Sequence, residues 1–155
     1  MRIKIGKYPT HRWYHNFLYE KFGIGNEPKV SVHIDDFDTW SMDHTLAYII
    51  EPMLKQLKLT KHGAPIVDNK DVPKELRSEP AKHDICPTHF DKWDWVLDEM
   101  IFAFESKHND WEEQFHSGER LNHTFKIDMK GRKAYQKRIS NGFRLFGKYY
   151  ENLWD

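Results

Sequence analysis

HIDDFDTWSMDHTLAYIIEPMLKQLK, residues 33–58, decides how the chain is read. A strand-like run ends in acids and histidines, and a helix starts directly out of that cluster. Met42, Leu46, Ile49, Ile50, Met53 and Leu57 recur at the spacing of one helical face. That face has to be covered, so the other amphipathic segments are expected to pack on it. Asp38 or Ser41 is the expected cap, and Pro52 predicts a kink or a break because it lacks the backbone donor.

Upstream, residues 2–5 alternate like a strand. Pro9-Thr10 then opens a helix, with Thr10 as N-cap, Trp13, Tyr14, Phe17, Leu18 and Phe22 on its apolar side, and Gly23 as its stop. Residues 24–28 are turn-rich. A second strand follows over 29–35, where Val30, Val32 and Ile34 alternate with polar residues.

Downstream, residues 60–88 hold Pro65, Pro73, Pro80 and Pro87 with few apolar side chains, which predicts a surface excursion or a lid, with one helical turn near 71–76. A long helix begins after Pro87, where Thr88 and Asp91 have capping-box spacing. Its stripe of Trp93, Leu97, Met100 and Phe104 extends toward Trp111 and Phe115. Residues 123–128 form a third strand candidate, expected to join the first two. In the last helix, about 132–154, Tyr135, Ile139, Gly142, Phe146, Tyr149 and Leu153 define a packing seam. Gly142 and Gly147 each cost about 1 kcal/mol of helix propensity, which points to close approach of another backbone. The expected class is α+β, a single domain over 1–155 with about four helices on a small three-stranded antiparallel sheet. A mainly α domain with a minor hairpin is the alternative.

Composition bounds the rest. A chain of 155 residues buries roughly two-thirds of its unfolded surface. Mean hydropathy is low, −0.83, yet six Trp, seven Tyr and ten Phe argue for a packed core. Lys plus Arg equals Asp plus Glu at 24 each, so net charge selects no partner. The single cysteine, Cys86, excludes an internal disulfide framework and fits a reducing compartment; its Pro-containing loop shows no sign of activation. No run approaches the ~18 apolar residues of a membrane span, and the N-terminus lacks a signal peptide's apolar region. A soluble, intracellular protein is expected.

Three clusters could carry chemistry. Asp35, Asp38, Asp43 and His44, with His33 and Asp36 beside them, could hold a divalent cation for phosphoester chemistry, although acids at a helix start also simply cap it. Arg132, Lys133, Lys137, Arg138, Arg144 and Lys148, with Lys130, form a run without acids between Met129 and Tyr150. Such a face suits phosphates or nucleic acid, with rings to stack on bases. Equally, it could lie beside the acidic segment 84–113, in the monomer or across a homodimer, each satisfying the other. Asp94, Asp98, Glu105 and Glu112 could bind metal or imitate a nucleic-acid backbone, or form a solvated helix face.

Four stretches carry a resemblance: DTWSMDHTLA with PMLKQLK, KHGAPIVDNKDVPKELRS, WDWVLDEMIFAFE and SNGFRLFGKYYENLWD. Together the chain resembles a family of small uncharacterised proteins of tailed, notably marine, bacteriophages. The resemblance covers most of 33–77, 88–117 and 122–155 and supplies neither a reaction nor functional residues. It implies a phage protein working in the cytoplasm of the infected bacterial host. The expected function is an accessory protein that binds a host protein, a nucleotide signal or nucleic acid in host takeover or counter-defence. It needs no cofactor and acts as a homodimer. A metal-dependent phosphohydrolase or nuclease and a minor virion component are the alternatives.

Overall fold

The computed structural model describes residues 1–5, 12–25, 30–78, 86–119 and 123–154. The chain divides into two compact units, Met1–Thr45 and Leu46–Asp155.

In the first unit, β1 (Arg2–Ile5) and β2 (Val30–His33) pair antiparallel, with Ile3 opposite Val32. Between them lies α1 (Trp13–Phe22), which ends as expected at Gly23. That residue takes the left-handed conformation at φ 65°, where a Cβ would be strained, and donates its N–H to the Tyr19 carbonyl at 2.9 Å. Thr10, the expected cap, lies outside the described residues; Arg12 occupies the N-cap position. A short helix, α2 (Asp36–Trp40), separates β2 from α3 (Met42–Thr60). Asp38 does take part in capping, but of α2. Its carboxylate accepts the Asp35 N–H at 2.8 Å, reciprocating the cap that Asp35 provides.

The second unit is built on α4 (His89–Glu105), the most deeply buried helix. Trp93, Val96, Leu97, Met100, Ala103 and Phe104 fill the core from one element. Each such large apolar side chain contributes about 1.5–3 kcal/mol through burial. On one side α4 meets α5 (Met129–Lys148), whose Ile139, Gly142 and Leu145 are buried, followed by Tyr149. On the other it meets α3 through Ala47 and Leu54, with Ile50 and Leu57 packed beside them. Segment 61–78 contributes Val67 and Val72.

The α3 stripe read from sequence is rotated. Ala47 and Leu54 are buried, Ile50 and Leu57 of the expected stripe are half-buried beside them, and Met42, Leu46 and Met53 are exposed. Both stripes are apolar, so periodicity alone could not separate them. What separates them is burial: Ala47 and Leu54 belong to the core, and Lys55, Lys58 and Lys61 beside them reach α4 carboxylates. Pro52 does not break α3, which runs through it. Thr88 is the N-cap of α4, but it forms no capping box: its hydroxyl donates instead to the Leu76 carbonyl at 2.9 Å.

Strand pairing also differs from expectation. β4 (Lys126–Ile127) pairs with β3 (His116–Ser117), not with β1 or β2. Closing the short connection between β3 and β4 costs less chain entropy than returning to the N-terminal hairpin. The described residues thus make a helix-rich chain with two small antiparallel ribbons rather than one three-stranded sheet.

Segment 61–78 is tied down at several points. Asn69 exchanges hydrogen bonds with Ser78, donating to its carbonyl at 3.0 Å and accepting its N–H at 3.4 Å. Arg77 Nε donates to the Val72 carbonyl, and residues 74–76 form the expected helical turn. Pro80 lies outside the described residues. Among the described residues no helix is long and apolar enough to cross a membrane.

Candidate functional site

The cations of α5 sit where its helical period carries them around the cylinder, and four of the six candidates are met by carboxylates. Arg132 bonds Glu112 at 2.8 Å. Arg138 reaches the buried Glu99 at 2.7 Å and lies over the Phe102 ring, 3.7 Å from its centroid. Arg144 bonds Asp71 at 2.8 Å, and Lys148 bonds Asp71 at 2.5 Å and also Asp68. Lys133 and Lys137 are exposed and, with Lys130, make no ion pair among the described residues. The spacing 130, 133, 137 places these three on one helical face.

Asp71, itself buried, is the centre of a polar network. Besides Arg144 and Lys148 it accepts the Tyr149 hydroxyl at 2.8 Å, and that hydroxyl accepts the Asp68 N–H at 3.0 Å. Burial pushes the Asp71 carboxyl up. Hydrogen bonds from Lys148, Tyr149 and Arg144 together outweigh it and hold the group below the ordinary carboxylate range. This network fastens 67–72 to the end of α5.

The acids of α4 are satisfied from the opposite side. Lys55 bonds Glu105 at 2.6 Å and Glu51 at 2.8 Å, Lys58 bonds Asp98 at 2.5 Å, and Lys61 bonds Asp94 at 2.6 Å. The pairs descend in antiparallel order along α3 and α4. The three lysines, Asp94 and Asp98 line a shallow groove of about 470 Å³ with Leu59 and Ile101. Most of the acidic face therefore looks toward α3, and Glu99 is the α4 acid that meets α5.

In the Asp/His cluster of the first unit, Asp35 and Asp38 both approach the Met1 ammonium, and Asp43 lies beside His44. Asp38 accepts the Met1 ammonium at 2.7 Å, a bond that lowers its pKa and raises that of the amino group. Asp35 lies 3.1 Å from His33 Nε2, and Asp43 lies 3.9 Å from His44 Nε2. Among the described residues no three His, Cys, Asp or Glu side chains converge on a point that could hold a metal ion. As candidate ligands, Asp35, Asp38, Asp43 and His44 are close in sequence, but no three of them converge on one point.

Cys86 is the group whose character the sequence concealed. It precedes α4 by three residues, in contact with the Ser78 hydroxyl and 3.2 Å from that of Thr88. Hydrogen bonds from Ser78 and then Thr88 favour the thiolate, burial opposes them, and the Lys92 charge adds to them; the pKa falls to about 7. The legible signal was a cysteine two residues before a helix N-cap. Alkylation of Cys86 by iodoacetamide should therefore be half-maximal near pH 7. An ordinary thiol titrates about 1.5 units higher. Ser78→Ala should move the midpoint upward; a midpoint above 8 in the unaltered protein would refute the thiolate assignment.

Large apolar side chains crowd the surface of the first unit. Trp13 is 85% exposed and Phe37 and Trp40 are each 87% exposed; Phe17, Tyr19, Phe22, Val30 and Val32 are exposed too. Neither α1 nor α2 contains a buried residue. No protein family, curated protein or solved structure matches the chain.

Proposed function

We propose that this is a non-enzymatic binding protein, a phage-encoded accessory that acts in the cytoplasm of an infected bacterium by occupying a host protein. The observation that carries this reading is the exposure of Trp13, Phe37 and Trp40 in one unit. Uncovered aromatic side chains cluster on surfaces that dock partners, and Trp and Tyr dominate the energetics of such contacts. A protein partner is favoured over nucleic acid because Arg132, Arg138, Arg144 and Lys148 already answer carboxylates of their own chain. Phosphates would have to displace those partners.

The test compares host proteins retained by the unaltered chain and by the double variant Phe37→Ser, Trp40→Ser, with matching circular dichroism. A genuine partner should bind the variant at least about 30-fold more weakly, since an interface aromatic is worth about 2 kcal/mol or more. A partner or nucleic acid lost instead with Lys133→Glu, Lys137→Glu would return the contact surface to α5.

A further inference from the structure

The β1–β2 ribbon has two strands, and its two edges are unlike. β1 has the sequence RIKI, with two cations in four residues. Positive charge on an edge strand repels a second copy of the same edge. β2 is Val30-Ser31-Val32-His33, followed by Ile34, and contains no residue of fixed charge. Among the described residues its outer edge pairs with no other strand. A ribbon of two strands is marginal in water, whereas three or more are self-supporting.

The β2 sequence is also self-complementary. About Val32 it reads apolar, polar, apolar, polar, apolar from either end. An antiparallel partner of identical sequence, centred there, sets Val32 against Val32, Val30 against Ile34 and Ser31 against His33. Every apolar side chain then lies on one face, and no like charges stand opposite each other. A twofold axis generates this pairing from one surface, as an isologous contact requires.

We propose that the free edge of β2 pairs with the same edge of a second copy of this chain, in register about Val32, making one four-stranded sheet across a twofold axis. The occupant of the edge is the chain itself, independently of any host partner at the aromatic side chains.

Sedimentation of the full chain tests it. At high micromolar concentration the mass should be twice 18.7 kDa. Val32→Lys sets two ammonium groups against each other, and should raise the dimer dissociation constant at least about tenfold. Because that variant also disturbs an apolar face, a crosslink gives a second readout. In a Cys86→Ser background, Val32→Cys should form a symmetric disulfide on mild oxidation, and Ser31→Cys, which faces His33 of the second copy, should not. An unaltered chain of 18.7 kDa at every concentration overturns the proposal, including the case in which another protein's strand fills the edge. So does a dimer that Val32→Cys fails to crosslink.

Discussion

Gly142→Ala should destabilise the second unit by about 2–3 kcal/mol, although alanine is the better helix former by about 1 kcal/mol. A Cβ at position 142 would run into the Glu99 carbonyl oxygen and lie 2.5 Å from the Ala103 Cβ. A backbone carbonyl inside α4 cannot swing aside as a side-chain tip can. The whole of α5 would have to move away, loosening the contacts of Ile139 and Leu145. Gly147, one and a half turns further on, has nothing within 4 Å of the same construction. Gly147→Ala should therefore stabilise by up to about 1 kcal/mol. In a unit of this size the pair should move the thermal midpoint in opposite directions, down by roughly 8–15 °C and up by a few degrees. Two losses of equal size would show that the close approach at Gly142 does not govern the packing.

Asp71→Ala should cost about 2–3 kcal/mol. The carboxylate is buried, but its cations are not. Lys148 is 36% and Arg144 49% exposed, so both can turn to water when the carboxylate is removed. That relief keeps the loss below the 3–5 kcal/mol typical of an ion left stranded in an interior. What remains is the buried Tyr149 hydroxyl deprived of its acceptor, and a segment, 67–72, released from α5. Denaturant titration should show the loss, and proteolysis should begin within 61–78.

The same carboxyl sets a pH dependence. Its folded pKa lies below the unfolded value near 4, so its contribution is complete above that value and disappears as pH falls through the folded pKa. Acid should weaken the unaltered protein below about pH 4 more steeply than Asp71→Asn. Parallel acid profiles would mean that other carboxyls carry the transition.

Which parts of this protein its sequence settles, and which it leaves open, follows from the range of the forces involved. Local chemistry was decided residue by residue: Gly23 ends α1 because only glycine takes that φ without strain, and the packing seam of α5 was legible at Ile139, Gly142 and Tyr149, although the helix starts after its cap Asp128 rather than near 132. Alternation marked β1 and β2 in the same way.

Choices between equivalent local patterns were made only in three dimensions. Two apolar stripes compete on α3, and the fold buries the one through Ala47 and Leu54, with the lysine–carboxylate pairs to α4 beside it. A basic run on α5 says nothing about which carboxylates stand opposite. Folding assigned Glu99, Asp71, Asp68 and Glu112 to four of its cations, and left Lys133 and Lys137 to solvent. Cys86 reads as an inert loop thiol until Ser78, eight residues away, is folded against it. Periodicity and capping act within a few residues and are written in order along the chain. Ion pairing, helix facing and thiol activation depend on neighbours that the chain supplies from a distance, and those exist only once it has folded.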